Sequence, residues 1–548
     1  STNESSFCKI RCMMSACKGR KEVYPNVPLD ERACNYEFPA LLAGMTEDVA
    51  LVEPPVGWMG FKKKPADIDA LWAWLFENAG QCSHAILSVD TLVYGNIINS
   101  RTHHRPLEAC METLSRFTEL KRKNPELSIH AFNLVARVAA YDSDAEDPDY
   151  WASYGRKIWR YACLTDKAER GEADEAERGE CAALRREIPD GVLDDFLARR
   201  AVDRAVNLAC VDLVRDGVFD VLTVPKDDTA EYGYAALDQM AIAKRVRELR
   251  LPDRVLVYPG ADEVGSVLFA RVFNQIKNYR PRIYIRYSSV YGPFIVPRYE
   301  DRPLQEGIKA QITSLGGVVL DAPGDSDCML AVNSPGKHMI ESVEQYTKDL
   351  TFSTHLNLNE LFRYMHYYHE EYGRPVGLAE VSVANGCEND CMELGLLTGT
   401  YDYLTAVGGW NTAQNTIGVV LAQLVIASYY NGFCGRPEQL RRSEEFMASR
   451  LASDWLYQSN VLHRYLAETA GTVDPYALGR HYRDAVEYFR HGLQALLDEK
   501  FTAGIRGRRL IVDTLQFQWD GIFYIRLHVR LEEVLRAEGT KEKTDTGE

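Results

Sequence analysis

The stretch RVLVYPGADE at residues 254–263 decides the fold class. Four of its first five residues are apolar or aromatic, and a Pro-Gly pair ends the run just before two carboxylates. A short apolar run closed by proline and glycine is typical of a buried β-strand. The sequence therefore predicts a strand at residues 254–258 with acidic side chains at its carboxyl end.

The same pattern recurs along the chain. Acidic clusters also follow predicted strands at residues 28–32 (PLDER), 89–91 (VDT) and 226–229 (KDDT). Stretches of helical periodicity, such as residues 107–123 and 237–249, separate the strands, and this alternation predicts parallel β-α units with helices covering the sheet. One predicted strand leads into Pro28, and the others are at residues 84–89, 129–138, 219–224, 282–287, 318–320, 329–333, 376–383 and 403–407.

We therefore predict an α/β fold, a (β/α)8-like barrel with a helical C-terminal region. Because there are ten strand candidates instead of eight, two doubly wound Rossmann-like domains plus a helical region remain an alternative. We expect the α/β catalytic domain at residues 1–415, with a charged helical insertion near residues 142–190. Residues 416–540 predict a helical C-terminal region, including an amphipathic helix at 521–538, and residues 541–548 predict a disordered tail.

The composition is that of a globular protein, with 548 residues, 46% hydrophobic and 26% charged. A net charge of -16 without a basic stripe argues against a nucleic-acid partner. The longest apolar stretch, residues 417–430, is too short and too polar for a membrane span. Thirteen scattered cysteines favour a reducing cytoplasm, and their spacing matches no zinc motif. Residues 1–20 hold no apolar core of signal-peptide length, so either there is no export signal or one has been removed.

Carboxylates at the carboxyl ends of parallel strands point into one shared cleft, which is where α/β folds place their chemistry. Asp227 and Asp228 are the strongest catalytic candidates, because neighbouring carboxylates repel and one of them retains its proton. Asp262 and Glu263 form a second pair. Glycoside hydrolysis needs an acid and a partner carboxylate of this kind. The alternative role for either pair is capping of the helix that follows.

Further polar side chains at strand ends are expected to bind a small polar substrate, a sugar. Asp30 and Arg32 suit hydroxyls or an anionic group, or they form an ion pair that shapes the loop. Arg137 closes an apolar run and therefore needs an anionic partner. Trp410 follows two glycines and either stacks on a sugar ring or plugs the barrel end. The remaining candidate binding residues are Asn35, Asp90, Arg101, Tyr232, Asn385, Asn411 and Asn415.

Five motifs, in order along the chain, resemble a bacterial family known as domain of unknown function 4127. They are PLDERACN at 28–35, DTLVYG at 90–95 with Ser100 and Arg101, Asp227-Asp228 with Tyr232-Gly233, YPGADE at 258–263, and GWNT at 409–412 with Asn415. The resemblance covers roughly residues 20–420. It implies kinship without naming a reaction. Ala33 stands where the family is expected to have proline, and residues 387–390 depart from its Asn-Gly loop.

A shorter likeness bears on mechanism. Residues 260–263 (GADE) are similar to the Gly-x-Asp-Glu of family 20 hexosaminidases, and Asp227-Asp228 is similar to the paired aspartates of family 84 enzymes. In both families the acetamido group of the substrate attacks, one carboxylate orients it and the other acts as the acid. The likeness thus implies a glycosidase for N-acetylated sugars.

The leading expectation is a glycoside hydrolase, or another carbohydrate-active enzyme, that uses these paired carboxylates without a cofactor. One alternative is a metal-dependent hydrolase of an ester, amide or phosphate, in which Asp30, Asp90, Asp227 and Asp262 bind Mg, Mn or Ca through oxygen. Another is a non-catalytic protein that binds a small polar ligand. The oligomeric state, the substrate and the stereochemistry are left open.

Overall fold

A computed structural model describes residues 21–533, and its first sheet consists of six parallel strands. The strands are ordered β2-β1-β3-β4-β5-β6 across the sheet. Their bounds are β1 Glu22–Val27, β2 Val49–Val52, β3 His84–Ser88, β4 Ser128–Phe132, β5 Val221–Lys226 and β6 Val255–Pro259.

The second sheet has five parallel strands from the following part of the chain. The next strands are β7 Arg282–Tyr287, β8 Val318–Leu320, β9 Cys328–Asn333, β10 Ile340–Glu341, β11 Val376–Glu380, β12 Val383–Ala384 and β13 Ala406–Gly408. The order across the sheet is β13-β11-β9-β7-β8. The short strands β10 and β12 pair separately.

In both sheets the first strand lies between the second and the third, which is the strand order of a doubly wound sheet. The predicted α/β class with parallel strands is confirmed, and each of the ten predicted strands overlaps an observed one. No closed barrel is detected among the strands of residues 21–533. Strand β2 was not predicted; its four residues, VALV, form a short apolar run between an acidic turn and Glu53-Pro54-Pro55.

Several strands are buried along their whole length because helices cover both faces of each sheet. All six residues of β5 and all six of β9 are buried. The helix Ala413–Tyr429 is buried at every position from Ala413 to Ala427. It packs against the helix Val264–Ile276 that follows β6, so one hydrophobic core joins the two halves of the chain.

The insertion predicted near residues 142–190 lies between β4 and β5, and the helix Glu175–Glu187 within it has no buried residue. The helices up to β7 are Ala33–Tyr36, Phe38–Gly44, Ile68–Asn78, Val89–Val93, Ile97–Thr102, Leu107–Lys123, Trp151–Glu169, Glu175–Glu187, Asp190–Arg215, Tyr234–Leu249 and Val264–Ile276. Those from β7 to the end of the second sheet are Leu304–Ser314, Thr351–Thr354, Leu358–Tyr372, Asn389–Leu397 and Ala413–Tyr429.

The C-terminal region begins with one long helix. It runs from Pro437 to Thr469 and contains a π-helical stretch, Leu451–Val461. The helix Tyr482–Lys500 follows, and then an antiparallel hairpin of β14 Arg508–Gln518 and β15 Tyr524–Glu533.

The prediction of a helix at residues 521–538 is therefore wrong over its described part, and the C-terminal region is not helical throughout. Leu527, Val529 and Leu531 of β15 are buried while the residues between them are more exposed. A period of two marks a strand with one buried face, whereas a helix repeats every 3.6 residues. The rest of that prediction, the disordered tail at 541–548 and any role of residues 1–20 lie outside the described residues.

None of the helices in residues 21–533 is long and apolar enough to cross a membrane.

Candidate functional site

Charged side chains collect at the carboxyl edge of the first sheet, the side on which its strands end. In doubly wound sheets this edge forms the ligand-binding crevice. The predicted residues that reach it are Asp30, Arg32 and Asn35 after β1, Asp90 and Arg101 after β3, Arg137 after β4, Asp227 and Asp228 after β5, and Asp262 and Glu263 after β6.

Arg32 is the centre of one buried cluster. Its guanidinium donates to Asp30 at 2.7 Å and to Asp262 at 3.2 Å, which joins the ends of β1 and β6. The Asn35 amide donates to both carboxylates at 3.0 Å. Asn411, which follows β13 of the second sheet, donates to Asp262 at 3.1 Å. The predicted Asp30-Arg32 ion pair is thus present, and it also holds Asp262.

Arg101 and Arg137 form a second cluster beside the first. Arg101 donates to Asp227 at 2.9 Å through Nε, and Arg137 donates to Asp228 at 3.1 Å through Nη1. Both guanidinium groups also contact one oxygen of Glu146, each at 3.2 Å. Arg137 therefore has the anionic partners that its place in an apolar run requires.

The acidic turn at residues 142–148 supplies two carboxylates to this cluster. Asp147 accepts from Arg137 at 2.7 Å, and Glu146 bridges the two arginines. Burial opposes ionisation of Glu146, yet Arg137, Arg101 and Arg32 hold its pKa below the ordinary value. Because Arg32 contributes to this effect, the two clusters form one electrostatic unit.

Carboxylates outnumber guanidinium groups in this unit. The guanidinium groups are those of Arg32, Arg101 and Arg137, and the carboxylates they contact are Asp30, Asp262, Asp227, Asp228, Glu146 and Asp147. Six carboxylates against three cations leave an excess of negative charge in a partly dehydrated site. Such a field favours a bound proton or a positive charge that develops on a ligand.

Asp228 differs from the other five carboxylates. Its side chain is 28% exposed, while that of Asp227 is 8% exposed and that of Asp262 is 5% exposed. Its backbone has a φ of 24°, in a region that side-chain-bearing residues seldom adopt and that is often strained at functional sites. Burial raises the pKa of Asp228 to about 6, although Arg137 opposes this rise.

Glu263 lies beneath the edge. It is fully buried, and its Oε1 accepts from the Gln311 amide at 2.7 Å while Oε2 has no hydrogen-bond partner among the described residues. Its side chain lies so close to Gly260 and Gly418 that a Cβ at either glycine would collide with it. Burial raises the pKa of Glu263 to about 7.

Asp90 is also held inside the protein. It accepts at 3.0 Å from the Asn133 amide and at 3.0 Å from the backbone N–H of Leu134. These two bonds tie the helix after β3 to the segment after β4. Burial raises the pKa of Asp90 to about 7. The structure thus places Asp90 as a link between two strand ends.

The second sheet contributes amides. The side chain of Asn415 accepts from the backbone N–H groups of Ala261 and Asp262, so it shapes the turn after β6. The side chain of Asn385 is exposed and donates to Glu341 at 2.8 Å, while its backbone N–H donates to the carbonyl of Asn411. Tyr232 lies elsewhere, since its hydroxyl donates to Glu172 in the insertion. The structure thus brings Asn411 and Asn415 to Asp262, whereas the side chain of Asn385 is directed to Glu341 and that of Tyr232 to the insertion.

The C-terminal hairpin covers the edge. The guanidinium of Arg32 lies against the rings of Trp519, at 4.4 Å, and Tyr524, at 4.7 Å. The Trp519 indole donates to Glu31 at 2.7 Å, and Gln518 accepts from the backbone N–H of Ala33 at 3.0 Å. Burial raises the pKa of Glu31 to about 7. The hairpin is therefore part of the site.

Sequence reasoning missed Glu146, Asp147, Trp519 and Tyr524 as site residues. The acidic turn that carries the first two is visible in the sequence, but nothing local shows that it folds over arginines from other strands. The hairpin residues have no local signal, because they approach Arg32 from almost 500 positions away along the chain.

Within residues 21–533, no three His, Cys, Asp or Glu side chains are grouped so that they could hold a metal ion. The metal-dependent alternative stays a prediction for chelation and elemental analysis to test.

The sequence model of a family described as "Protein of unknown function (DUF4127)" matches residues 26–528. The chain therefore belongs to this family, as the motifs predict. No curated protein matches the sequence. The chain is similar to a solved structure of the carboxyl transferase domain from Rhizobium etli pyruvate carboxylase with 3-bromopyruvate, with 8% identity and a TM-score of 0.20. The match covers 90% of this chain but only 62% of the other, and such a likeness carries no functional argument. The likeness to hexosaminidases has no support in these comparisons.

Proposed function

We propose that this member of the DUF4127 family is a glycoside hydrolase in which Asp228 donates the proton to the leaving group. The observation that carries the proposal is the combination of exposure, backbone strain and raised pKa at Asp228 on the carboxyl edge. Asp228 is the most exposed of the six clustered carboxylates, and its backbone is strained. A pKa of about 6 leaves roughly half of the molecules protonated at Asp228 at pH 6, so it can act as a general acid in mildly acidic solution.

The excess of carboxylates supports the same reaction. Glycosidic bond cleavage passes through a transition state with positive charge on the sugar ring. Side chains already oriented toward a developing charge stabilise it without further rearrangement. Asp227, Asp262 and Asp30 are held in place by Arg101 and Arg32, so they supply a fixed negative field.

We propose Glu146 as the partner carboxylate. It contacts Nη2 of Arg137, while Asp228 contacts Nη1 of the same guanidinium. The nearest oxygens of the two carboxylates are therefore at most about 9 Å apart, which does not exceed the separations that glycosidase pairs span. Glu263, which the sequence predicts as a catalytic carboxylate, is proposed to position the turn after β6 from below.

The proposal places this site in a crevice between two doubly wound sheets, the alternative that sequence analysis left open beside a (β/α)8-like barrel. The strand orders support that choice. We further propose a cytoplasmic enzyme. The ten cysteines within residues 21–533 are all free thiols, which suits a reducing compartment.

A screen of aryl glycosides, N-acetylhexosaminides included, tests the proposal. We expect turnover on at least one member, and a loss of about 10²-fold or more in Asp228→Asn with substrate binding retained. Asp216→Asn is the matched control, since Asp216 is an exposed aspartate beside an arginine, away from the site.

Absence of turnover on every glycoside, or equal rates for the Asp228 and Asp216 variants, would contradict the proposal. Ligand-induced thermal shifts without turnover would instead favour a binding protein, because binding stabilises the folded state. Activity that chelation abolishes would favour the metal-dependent alternative.

A further inference from the structure

A small cavity lies between the C-terminal hairpin and the π-helical stretch. It has a volume of about 20 Å³, and its lining includes Trp410, Arg450, Ser453, Asp454, Gln458 and Tyr524. Tyr524 also packs on Arg32, and the residue after Trp410 donates to Asp262, so the cavity adjoins the acidic edge. Of these residues, only Trp410 is among those predicted from the sequence to bind a ligand.

Arg450 is the unusual member of the lining. It is 6% exposed, and its ionic partner within residues 21–533 is Asp454, at 3.3 Å. Its Nε is buried without a hydrogen-bond partner in the described part of the chain, and its guanidinium lies 4.2 Å from the centre of the Phe38 ring. A guanidinium has five N–H donors, and leaving them unpaired away from water is costly. Arg450 therefore has donors to offer a ligand.

The groups around Arg450 are held in place. Asp454 accepts from the backbone N–H of Gly409 at 3.2 Å and from the hydroxyl of Ser453, and Gln458 donates to the carbonyl of Phe523 at 3.0 Å. These residues lie on the π-helical stretch, a conformation found often at functional sites. Burial raises the pKa of Asp454, while Arg450 and the donors from Ser453 and Gly409 oppose this rise.

We propose that this cavity binds a carboxylate group of the ligand, held by the guanidinium of Arg450. The cavity has room for about one or two water molecules, which suits a group of three heavy atoms better than a sugar ring. A guanidinium matches the two oxygens of a carboxylate as a fork. This assignment rests on the proposed function, and it names the substrate class as glycosides of acidic sugars. The carboxylate of the sugar would lie between Trp410 and the hairpin.

Binding measurements on the full chain test this without requiring turnover. The probes are glucuronate, glucose, N-acetylglucosamine and inorganic sulfate. The binding of each probe is measured by calorimetry and by the shift in melting temperature. We expect glucuronate to bind at least tenfold more tightly than glucose or N-acetylglucosamine. Arg450→Gln should remove this preference, and Arg450→Lys should keep part of it because the charge remains without the fork. Arg441→Gln, on the same helix but half exposed, should leave it intact.

Equal binding of glucuronate and glucose by the unmodified protein would overturn the inference, and so would a preference that survives in Arg450→Gln. Sulfate that competes as well as glucuronate would also overturn it, since the site would then hold any oxyanion. The comparison of probes on the unmodified protein stands even where Arg450→Gln fails to fold. Turnover of neutral glycosides without a glucuronate preference would overturn this inference alone, whereas Arg450-dependent glucuronate binding without any turnover would overturn the glycosidase proposal alone.

Discussion

Replacing Glu263 with glutamine separates a positioning role from a catalytic one. The carboxyl of Glu263 has a pKa of about 7, raised by burial from an ordinary value of 4.5. The native state therefore binds the Glu263 proton more tightly than the unfolded chain does. The stability that this proton provides is fully present below pH 4.5, and it is lost as the pH rises through 7.

The magnitude follows from the two pKa values. Their difference corresponds to about 3 kcal/mol, of which roughly 2 to 3 kcal/mol is lost between pH 5 and pH 8. Glutamine has the same shape, still accepts from Gln311 and cannot ionise. The Glu263→Gln protein should therefore gain stability over the unmodified protein by that amount on going from pH 5 to pH 8.

Urea denaturation at a series of pH values measures this difference. Glu306→Gln is the control, because Glu306 lies on the helix of Gln311 but is exposed and paired with Lys309. The difference between the Glu263 variant and the unmodified protein should grow with pH, while the control follows the unmodified protein. Parallel pH curves for all three proteins would refute the reasoning. A loss of turnover of about 10²-fold in Glu263→Gln at unchanged stability would return the catalytic role to Glu263.

Three further predictions follow from the same contacts. Arg32→Met should destabilise the protein by about 3 to 5 kcal/mol, because it leaves two buried carboxylates without their cation, and adding Asp262→Asn should recover part of that loss. Strictly additive effects in this double-mutant cycle would contradict the pairing. Trp519→Ala should lower the free energy of unfolding by about 3 to 5 kcal/mol and make the hairpin sensitive to limited proteolysis, since the indole packs on Arg32 and donates to Glu31. An unchanged digestion pattern would show that the hairpin does not depend on this contact. If Asp228 is the general acid, kcat/KM should fall about tenfold per pH unit above pH 6. A kcat/KM that stays constant from pH 6 to pH 8 would show that the protonation of Asp228 does not limit the rate.

Much of the α/β architecture is visible in the sequence because its signals are local. Runs such as residues 254–258 are apolar, end in turn residues and need no distant partner to be recognised. The positions of Asp227, Asp228 and Asp262 at strand ends follow directly from those runs. The helix predicted at residues 521–538 is wrong because β15 alternates with a period of two over a stretch that also carries charges at helical spacing.

The sequence by itself determined which side chains stand at the strand ends, since strand and turn patterns extend over only a few residues. Tertiary structure alone decided how the strands divide into two sheets and which carboxylate pairs with which arginine. Arg32 meets Asp262 across 230 positions and Trp519 across almost 500, and no local pattern encodes such a contact. It also decided that Glu263 lies beneath the edge while Asp262 lies on it. Burial is set by whatever packs on a residue from elsewhere in the chain, and burial is what raises a carboxyl pKa.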